Sequence, residues 1–205
     1  MQKKKIAVIF GGKSTEYEVS LQSVSSVLEN INKELFEVVP VGITRDGEWY
    51  HYTGDYGNIT NNTWFEDHKN LYPVVVSQNC SVKGFLELYE DRHTILKIDL
   101  VFPVLHGKNG EDGTLQGLFE LAGIPVVGCN TLASALCMDK DRAHKLVGAA
   151  GVSVPKSLTF EHIDMEEALV KIEEDLRYPL FVKPVRAGSS FGITKVDAVK
   201  ELKAA

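Results

Sequence analysis

The sequence predicts an α/β protein, a class in which strands and helices alternate around a mostly parallel sheet. Apolar runs at residues 5–10 and 100–105 have the continuous hydrophobic character of strands buried on both faces. A glycine-containing turn follows each run, and apolar side chains then recur at helical spacing over residues 15–31 and 112–122. The order strand, glycine turn, helix indicates layers of helices on a sheet.

Composition argues against several classes of partner. The 205 residues are 44% hydrophobic, enough for a substantial core, and the formal net charge is −6. Beyond lysines 3–5, interpreted as a solvated lead-in to the first strand, no basic cluster is present, so we do not expect nucleic acid as a main partner. We expect neither a membrane span nor a secretory signal. Three cysteines without metal-type spacing favour reduced thiols in the cytoplasm.

The first strand and its turn do not match the common phosphate-binding motifs. A P-loop needs a glycine five residues before Gly12, where the sequence has Ala7. The dinucleotide fingerprint also fails, which weakens a reading as an NAD enzyme. Thr15 and Glu18 have the spacing of a capping box that would start the following helix.

Glu16 lies in the predicted first turn of that helix, and two interpretations stand side by side. A carboxylate there stabilises the helix dipole by about 0.3–1 kcal/mol, which is an ordinary role for a first-turn acid. Alternatively, Glu16 lies where a sheet of this class binds ligands and could capture an ammonium group.

The segment between the two strongest strands is predicted to be less regular. We expect a strand at residues 36–43, with Pro40 suggesting an edge or irregular position, followed by a hairpin-like insert at 45–51. Residues 53–70 are predicted to be mostly loop, with a short helix near 63–67. Short strands are expected at residues 74–76 and 84–88.

The stretch HGKNGEDGTLQG at residues 106–117 is the most unusual in the chain. It follows the strand at residues 100–105 and combines a histidine, two adjacent acids and four glycines. The simple interpretation is a turn with Asp112 as the N-cap of a helix ending before Gly123. A cap alone does not require His106, so this stretch is also a candidate ligand site. A short strand at residues 124–128 is expected to complete this part.

A second α/β segment follows. Helices are predicted at residues 131–138, 140–150 and 164–176, with Asp139 capping the second, and strands at 154–160, 178–183 and 191–196. Lys140 opposes the helix dipole in a first turn, which neighbouring acids could offset or a bound anion could explain. Lys183 precedes a loop at residues 184–190, and its ammonium together with the hydroxyls of Ser189 and Ser190 could hold anionic oxygens, although a glycine–serine turn is commonly only structural.

Four segments occur in one order: GGKSTEYEVS (11–20), HGKNGEDGTLQG (106–117), MDKDRAHK (138–145) and FVKPVRAGSSFGI (181–193). Together they resemble the D-alanine–D-alanine ligase family of ATP-grasp enzymes over nearly the whole chain. The residues within these four segments are most similar to those of the vancomycin-resistance D-alanine–D-serine ligases of the G type.

The resemblance implies an architecture. Residues 1–130 would form the N-terminal pre-ATP-grasp, Rossmann-like α/β domain, and residues 131–205 the small central α+β domain of an incomplete ATP-grasp fold. The family's Mg²⁺ ligands, adenine-binding segment and selectivity loop are expected beyond Ala205. The 205-residue chain alone is therefore expected to form no dipeptide.

The resemblance also implies a reaction and its substrates. Family members use ATP and Mg²⁺ to convert the carboxylate of a first D-alanine into an acyl phosphate, which the amine of a second D-amino acid attacks. D-serine is the favoured second substrate, with D-alanine as the alternative. A cytoplasmic homodimer joined through the N-terminal domain, serving peptidoglycan precursor synthesis, is also expected. A truncated fragment that binds nucleotide without turnover is a further alternative.

Residue roles follow from the same resemblance. Glu16 would bind the ammonium of the first D-alanine, and His106 would lie beside its carboxylate. Lys140 and Lys183 would contact the ATP phosphates. Ser189 resembles the serine that is hydrogen-bonded to the N-terminal glutamate in the family.

The loop around Ser189 has a second implied role. Backbone N–H groups from Gly188 to Ser190 would cover the ATP phosphates as a closing flap.

Overall fold

The computed structural model describes residues 2–162 and 164–205 and divides into two compact units. One unit ends at Ala135 and the other begins at Leu136, so the division falls within a helix.

The first unit contains seven strands and three α-helices among the residues described before that dividing helix. The strands are β1 Lys4–Gly11, β2 Phe36–Ile43, β3 Trp49–Tyr52, β4 Leu71–Val76, β5 Gly84–Leu88, β6 His93–Lys97 and β7 Leu100–Pro103. The helices are α1 Tyr17–Asn30, α2 Tyr56–Thr60 and α3 Thr114–Leu121, with short 3₁₀ turns at Trp64–Glu66 and His68–Asn70.

The sheet has the strand order β6-β5-β4-β3-β2-β1-β7. Strands β2, β1 and β7 are parallel, whereas β3 to β6 extend the sheet as antiparallel neighbours. This arrangement confirms the α/β class. The parallel part buries β1 on both faces, as its continuous apolar sequence predicts.

The alternating side chains of β1 enter two separate cores. Ala7 and Ile9 belong to one core, which includes Phe85 of β5 and Phe119 of α3. Val8 and its neighbours at alternate positions enter the other core, which α1 covers. The sheet is thus packed on both sides, and this packing fixes the positions of the loops that leave β1 and β7.

Several predicted details of this unit are wrong. Strand β2 is internal and not an edge strand, although Pro40 itself has the local irregularity expected of it, because the β2–β3 register begins at Val41 and leaves the proline without a partner on that side. Residues 124–128 do not form the predicted strand; Val126 makes only an isolated parallel bridge to Val101. Strand β6 has no counterpart among the predicted strands.

The segment expected to be mostly loop is better ordered than predicted. It contains α2 in addition to the expected short helix, which is the 3₁₀ turn at Trp64–Glu66, and Trp64 is completely buried. The Trp64 indole N–H donates to the Tyr17 hydroxyl at 3.0 Å, which ties this segment to the first residue of α1.

The second unit contains α5 Lys140–Ala149, α6 Met165–Asp175 and a two-stranded antiparallel sheet of β8 Leu180–Val182 and β9 Thr194–Val196. The division between the two units falls within helix α4, Thr131–Met138. The strand predicted at residues 154–160 is not formed, and residues 152–160 have no regular structure. Phe181 in the strand predicted to be buried is 55% exposed.

Candidate functional site

Two loops meet at the carboxyl edge of the parallel strands. Strands β1 and β7 pair from Ile6 with Leu100 to Ile9 with Pro103, so their ends lie side by side. The Val104 N–H donates to the Ile9 carbonyl at 2.7 Å and continues this pairing into the loop. Glu16 follows one strand and His106 the other, and the fold brings these two predicted residues to the same edge.

Glu16 immediately precedes α1 and is only 7% exposed. The predicted capping box is wrong, because Glu16 occupies the N-cap and no side chain caps the helix there. The Ser14 hydroxyl instead accepts from the Glu16 N–H at 3.1 Å and donates to the His106 carbonyl at 2.9 Å. Ser14 therefore fixes the two loops relative to each other.

Tyr17 anchors the start of α1 beside Glu16. It is 2% exposed, and the Arg45 guanidinium lies 4.3 Å from the centre of its ring. Burial raises the pKa of the Tyr17 phenol, although its hydrogen bond from Trp64 and the nearby Arg45 charge act in the opposite direction. The aromatic contacts hold the first turn of α1 and hence the position of Glu16.

Gly107 makes the closest approach between the loops. It has a φ of +71°, and a Cβ added there would lie 2.1 Å from Glu16 Oε2. The Gly107 N–H donates to the Glu111 carboxylate at 2.6 Å. Only glycine combines this backbone conformation with room for the Glu16 carboxylate.

Helix α1 also positions the imidazole of His106. The Ser23 hydroxyl and His106 Nε2 are hydrogen-bonded at 2.9 Å. One turn earlier, the buried Ser20 hydroxyl accepts from the Gly11 N–H at 2.8 Å and donates to the Val104 carbonyl. Ser14, Ser20 and Ser23 were not predicted to be site residues, although the three-residue spacing of Ser20 and Ser23 places both on one face of α1.

We expect the replacement Ser23→Ala to free the His106 ring, because Nε2 loses its hydrogen-bond partner. Nitrogen-15 NMR of the imidazole should show a changed ratio of the two neutral tautomers, whereas Ser23→Thr should retain the ratio of the original chain. Ser25→Ala is a matched control on the same helix, where the serine hydroxyl bonds to Thr60 and to a helical carbonyl. An unchanged tautomer ratio in Ser23→Ala would contradict the assigned contact.

Asp112 stabilises the turn in a different way from the predicted N-cap. Helix α3 begins at Thr114, with Gly113 at its N-cap. The Asp112 carboxylate accepts from the N–H groups of Asn109 at 2.8 Å and Thr114 at 3.0 Å. Partial burial favours the neutral acid, but these hydrogen bonds together outweigh burial and lower the pKa of Asp112. The acid is thus part of the rigid turn.

Asp139 organises the second unit. It caps α5 as predicted, accepting from the Arg142 N–H at 3.0 Å, and it also contacts both the Arg142 and Arg186 guanidinium groups. The Arg142 N–H contributes most to lowering the pKa of Asp139 to about 2. Burial acts in the opposite direction and raises this pKa, whereas the two guanidinium groups lower it further.

A depressed folded-state pKa gives a defined pH dependence. The contribution of Asp139 to stability is complete above the usual value of 3.8 and is lost as the pH falls through about 2. We expect Asp139→Ala to lower the free energy of unfolding by about 1–2 kcal/mol at pH 7, with the difference shrinking between pH 4 and 2. Chemical denaturation followed by circular dichroism measures this, with Asp164→Ala, an exposed cap of α6, as control. A difference that stays constant over this pH range would refute the assignment.

Lys140 lies next to this cap and reaches the second loop of interest. Its ammonium donates to the Ala187 carbonyl at 2.5 Å, and its N–H donates to the Val185 carbonyl at 3.1 Å. The loop that precedes Gly188 is therefore attached to the first turn of α5. The fold thus brings Lys140 and this loop together.

The loop ends in a series of left-handed residues. Ser189 and Ser190 have φ values of 45° and 59°, and Gly192 has 69°. Both serines are exposed, as is Lys183, whose ammonium lies 5.9 Å from the centre of the Phe181 ring. Ammonium groups and hydroxyls of this kind donate to phosphate oxygens.

Across residues 2–162 and 164–205, no group of three His, Cys, Asp or Glu side chains is arranged to hold a metal ion. Within the same described residues, none of the helices combines the length and apolar character needed to cross a membrane.

Two family models match the sequence. Residues 5–129 match the model described as D-ala D-ala ligase N-terminus, and residues 146–205 match the model described as D-ala D-ala ligase C-terminus. The first match alone covers more than half of the chain.

Relatives with curated names and solved structures give the same result. The chain is 46% identical to a D-alanine--D-alanine ligase of Thermoanaerobacter sp. (strain X514) over 100% of its length and 57% of the relative. It is 44% identical to the vancomycin C-type resistance protein VanC1 of Enterococcus gallinarum, covering 98% of this chain and 57% of that protein. The crystal structure of VanG D-Ala:D-Ser ligase from Enterococcus faecalis aligns with a TM-score of 0.90 and 73% identity, over 99% of this chain and 58% of that one. The chain thus spans less than two thirds of each of these relatives.

Proposed function

Because the chain belongs to the D-alanine–D-alanine ligase family, we propose that it supplies the first-substrate and phosphate-binding parts of an ATP-dependent ligase. The ligase joins D-alanine to a second D-amino acid through an acyl-phosphate intermediate. D-serine is the favoured second substrate, supported by the similarity to the VanG D-Ala:D-Ser ligase. The product would serve peptidoglycan precursors of the vancomycin-resistant kind.

The observation that carries this proposal is the buried carboxylate of Glu16 against the His106 loop. Ser14 holds the Glu16 N–H and the His106 carbonyl with one hydroxyl, and Gly107 leaves room for Glu16 Oε2. A rigid carboxylate at the carboxyl edge of a sheet is suited to an ammonium group. In this proposal Glu16 holds the ammonium of the first D-alanine.

His106 acts at the other end of the same substrate. Its ring is oriented by Ser23 and its carbonyl by Ser14, so both parts of the residue are fixed before a ligand arrives. We assign it to the substrate carboxylate, where a positioned imidazole contacts the negative charge that changes during activation. The Glu16 and His106 contacts together orient an amino acid from both ends.

The second unit is assigned to the phosphates of ATP, and its donor groups fit them. ATP would supply the phosphoryl group that activates the carboxylate. Lys140 and Lys183 would contribute positive charge, and the hydroxyls and N–H groups of Gly188, Ser189 and Ser190 would donate hydrogen bonds to phosphate oxygens.

The experiment that tests the function is product analysis of a full-length ligase carrying this chain. With ATP, Mg²⁺ and equal D-alanine and D-serine, we expect D-alanyl-D-serine to exceed D-alanyl-D-alanine. Predominant D-alanyl-D-alanine would refute the D-serine assignment while retaining the ligase, whereas an absence of dipeptide would refute both. The cytoplasmic homodimer joined through the first domain is part of the same proposal.

A nucleotide-binding fragment without turnover is the second candidate, and the attached Lys140 loop favours it for the isolated chain. Calorimetry with a non-hydrolysable ATP analogue and Mg²⁺ should show binding that Lys183→Ala weakens about tenfold or more, since an ammonium–phosphate contact contributes about 1.5–3 kcal/mol. Lys195→Ala on β9, which removes a lysine paired with Asp197, is the control. Equal binding by Lys183→Ala and the control would remove Lys183 from the phosphate site.

A further inference from the structure

A concave basic surface lies at the amino-terminal edge of the sheet, opposite the edge that carries Glu16 and His106. The cavity measures about 610 Å³ and lies between the first residues of β1 and β2 and the turns that flank β5 and β6. Five lysines line it, at positions 3, 4, 5, 83 and 97. We refer to it as the basic cavity.

This cluster cannot be recognised in the sequence, because its lysines are far apart along the chain. Lys83 precedes β5 and Lys97 ends β6, and these strands pair so that Gly84 lies opposite Lys97. The Ile98 N–H donates to the Lys83 carbonyl at 2.9 Å, and the Asp99 N–H donates to the Lys5 carbonyl at 2.9 Å. The antiparallel strands thus return to β1 and bring two further cations to the basic triplet.

The five lysines are not equivalent. Lys4 and Lys5 are engaged in the fold, since Lys4 lies 3.6 Å from the Asp99 carboxylate and Lys5 lies 2.7 Å from that of Glu37. For Lys3, Lys83 and Lys97, the described part of the chain contains no carboxylate within ion-pair distance. Like charges gathered on one concave surface repel, and a bound anion relieves that repulsion.

Charge and size together define the ligand. Five lysines against two carboxylates leave a formal charge of +3 in the cavity, whereas the whole chain carries −6. A volume of about 610 Å³ is in the range of small-molecule sites, which is about 300–1,000 Å³. A long polyanion would extend beyond the cavity, and the net charge of −6 on the whole chain disfavours nucleic acid as the ligand.

We propose that the basic cavity binds a small anion carrying two or three linked phosphate groups, at a site separate from the phosphate loop of the second unit. Lys3, Lys83 and Lys97 supply the ligand contacts, because lysine acts as a mobile point charge toward phosphate. Lys4 and Lys5 hold the wall of the cavity through Asp99 and Glu37. The site does not depend on the proposed ligase function.

Isothermal titration of the 205-residue chain with inorganic tripolyphosphate at about 0.15 M salt tests the proposal. In addition to binding at the phosphate loop proposed for the second unit, we expect one saturable site that Lys83→Gln/Lys97→Gln weakens at least tenfold. The matched double variant Lys69→Gln/Lys203→Gln, which removes two exposed lysines outside the cavity, should bind as tightly as the original chain. Melting temperatures of both variants confirm that they fold.

A second arm separates the sources of phosphate. In a Lys140→Gln/Lys183→Gln chain, which lacks the proposed nucleotide contacts, tripolyphosphate and ATP are compared. Equal affinities support recognition of the phosphate chain alone, and tighter ATP binding supports a nucleoside polyphosphate. Loss of all tripolyphosphate binding in this chain would overturn the proposal. So would unchanged binding by the Lys83/Lys97 variant, or much tighter binding of a twenty-nucleotide single strand to the basic cavity.

Discussion

Replacing Glu16 by Gln in a full-length ligase carrying this chain should reduce kcat/KM for the first D-alanine by about 100-fold. The amide keeps the size of the side chain and removes the negative charge. Glu16 is only 7% exposed, so an ammonium group bound to it loses a buried counter-ion, and truncating one member of a buried charge pair costs about 2–5 kcal/mol. The KM for ATP should stay unchanged, since the phosphate contacts are assigned to other residues.

The chain offers a close control for this variant. Glu18 lies two residues further along, is exposed, and pairs with Arg45 at the surface. Glu18→Gln should leave D-alanine kinetics within about twofold, because an exposed ion pair contributes less than about 1 kcal/mol. If both variants behaved alike, Glu16 would have only the helix-dipole role.

Gly107→Ala should give the second large effect, on stability and on D-alanine use together. The added Cβ would lie 2.1 Å from Glu16 Oε2 in a left-handed backbone conformation, so the carboxylate must move. We expect a loss of about 1–3 kcal/mol in the free energy of unfolding and a raised KM for the first D-alanine. Denaturant titration and initial-rate kinetics measure the two quantities separately.

Gly151→Ala separates the backbone cost from the contact. Gly151 has a φ of +83°, and no atom lies within 4 Å of an added Cβ. It should therefore destabilise through the left-handed conformation alone, by about 1–2 kcal/mol, and leave D-alanine kinetics unchanged. Normal D-alanine kinetics in Gly107→Ala would mean that the position of the Glu16 carboxylate does not matter for the first substrate.

The parallel core could be predicted because its signal is local. Continuous apolar runs and glycine turns identify β1, β7 and the helices that follow. Asp139 could be predicted as a cap because a cap acts on N–H groups within three residues. Residues 154–160 had strand composition, but a strand also needs a partner, and none pairs with it in the described unit.

The contacts that complete the candidate site could not be predicted in the same way. Ser14 and Ser23 reach His106 across 92 and 83 residues, and such pairs become visible only when β1 lies beside β7. The capping box failed because the helix starts one residue later than that motif requires, with Glu16 at the N-cap. The roles that the family resemblance implies for individual residues remain predictions; these residues are Glu16, His106, Lys140, Lys183, Gly188, Ser189 and Ser190.

Titration of D-alanine into a full-length ligase carrying this chain, observed through the imidazole resonances of His106, tests the central claim most directly. A substrate held between Glu16 and His106 should produce a saturable shift of the His106 nitrogens, retained in Glu18→Gln and abolished over the same concentration range in Glu16→Gln. A His106 signal that does not respond to D-alanine, or that responds equally in the Glu16→Gln protein, would contradict the assignment of this edge of the sheet to the first substrate.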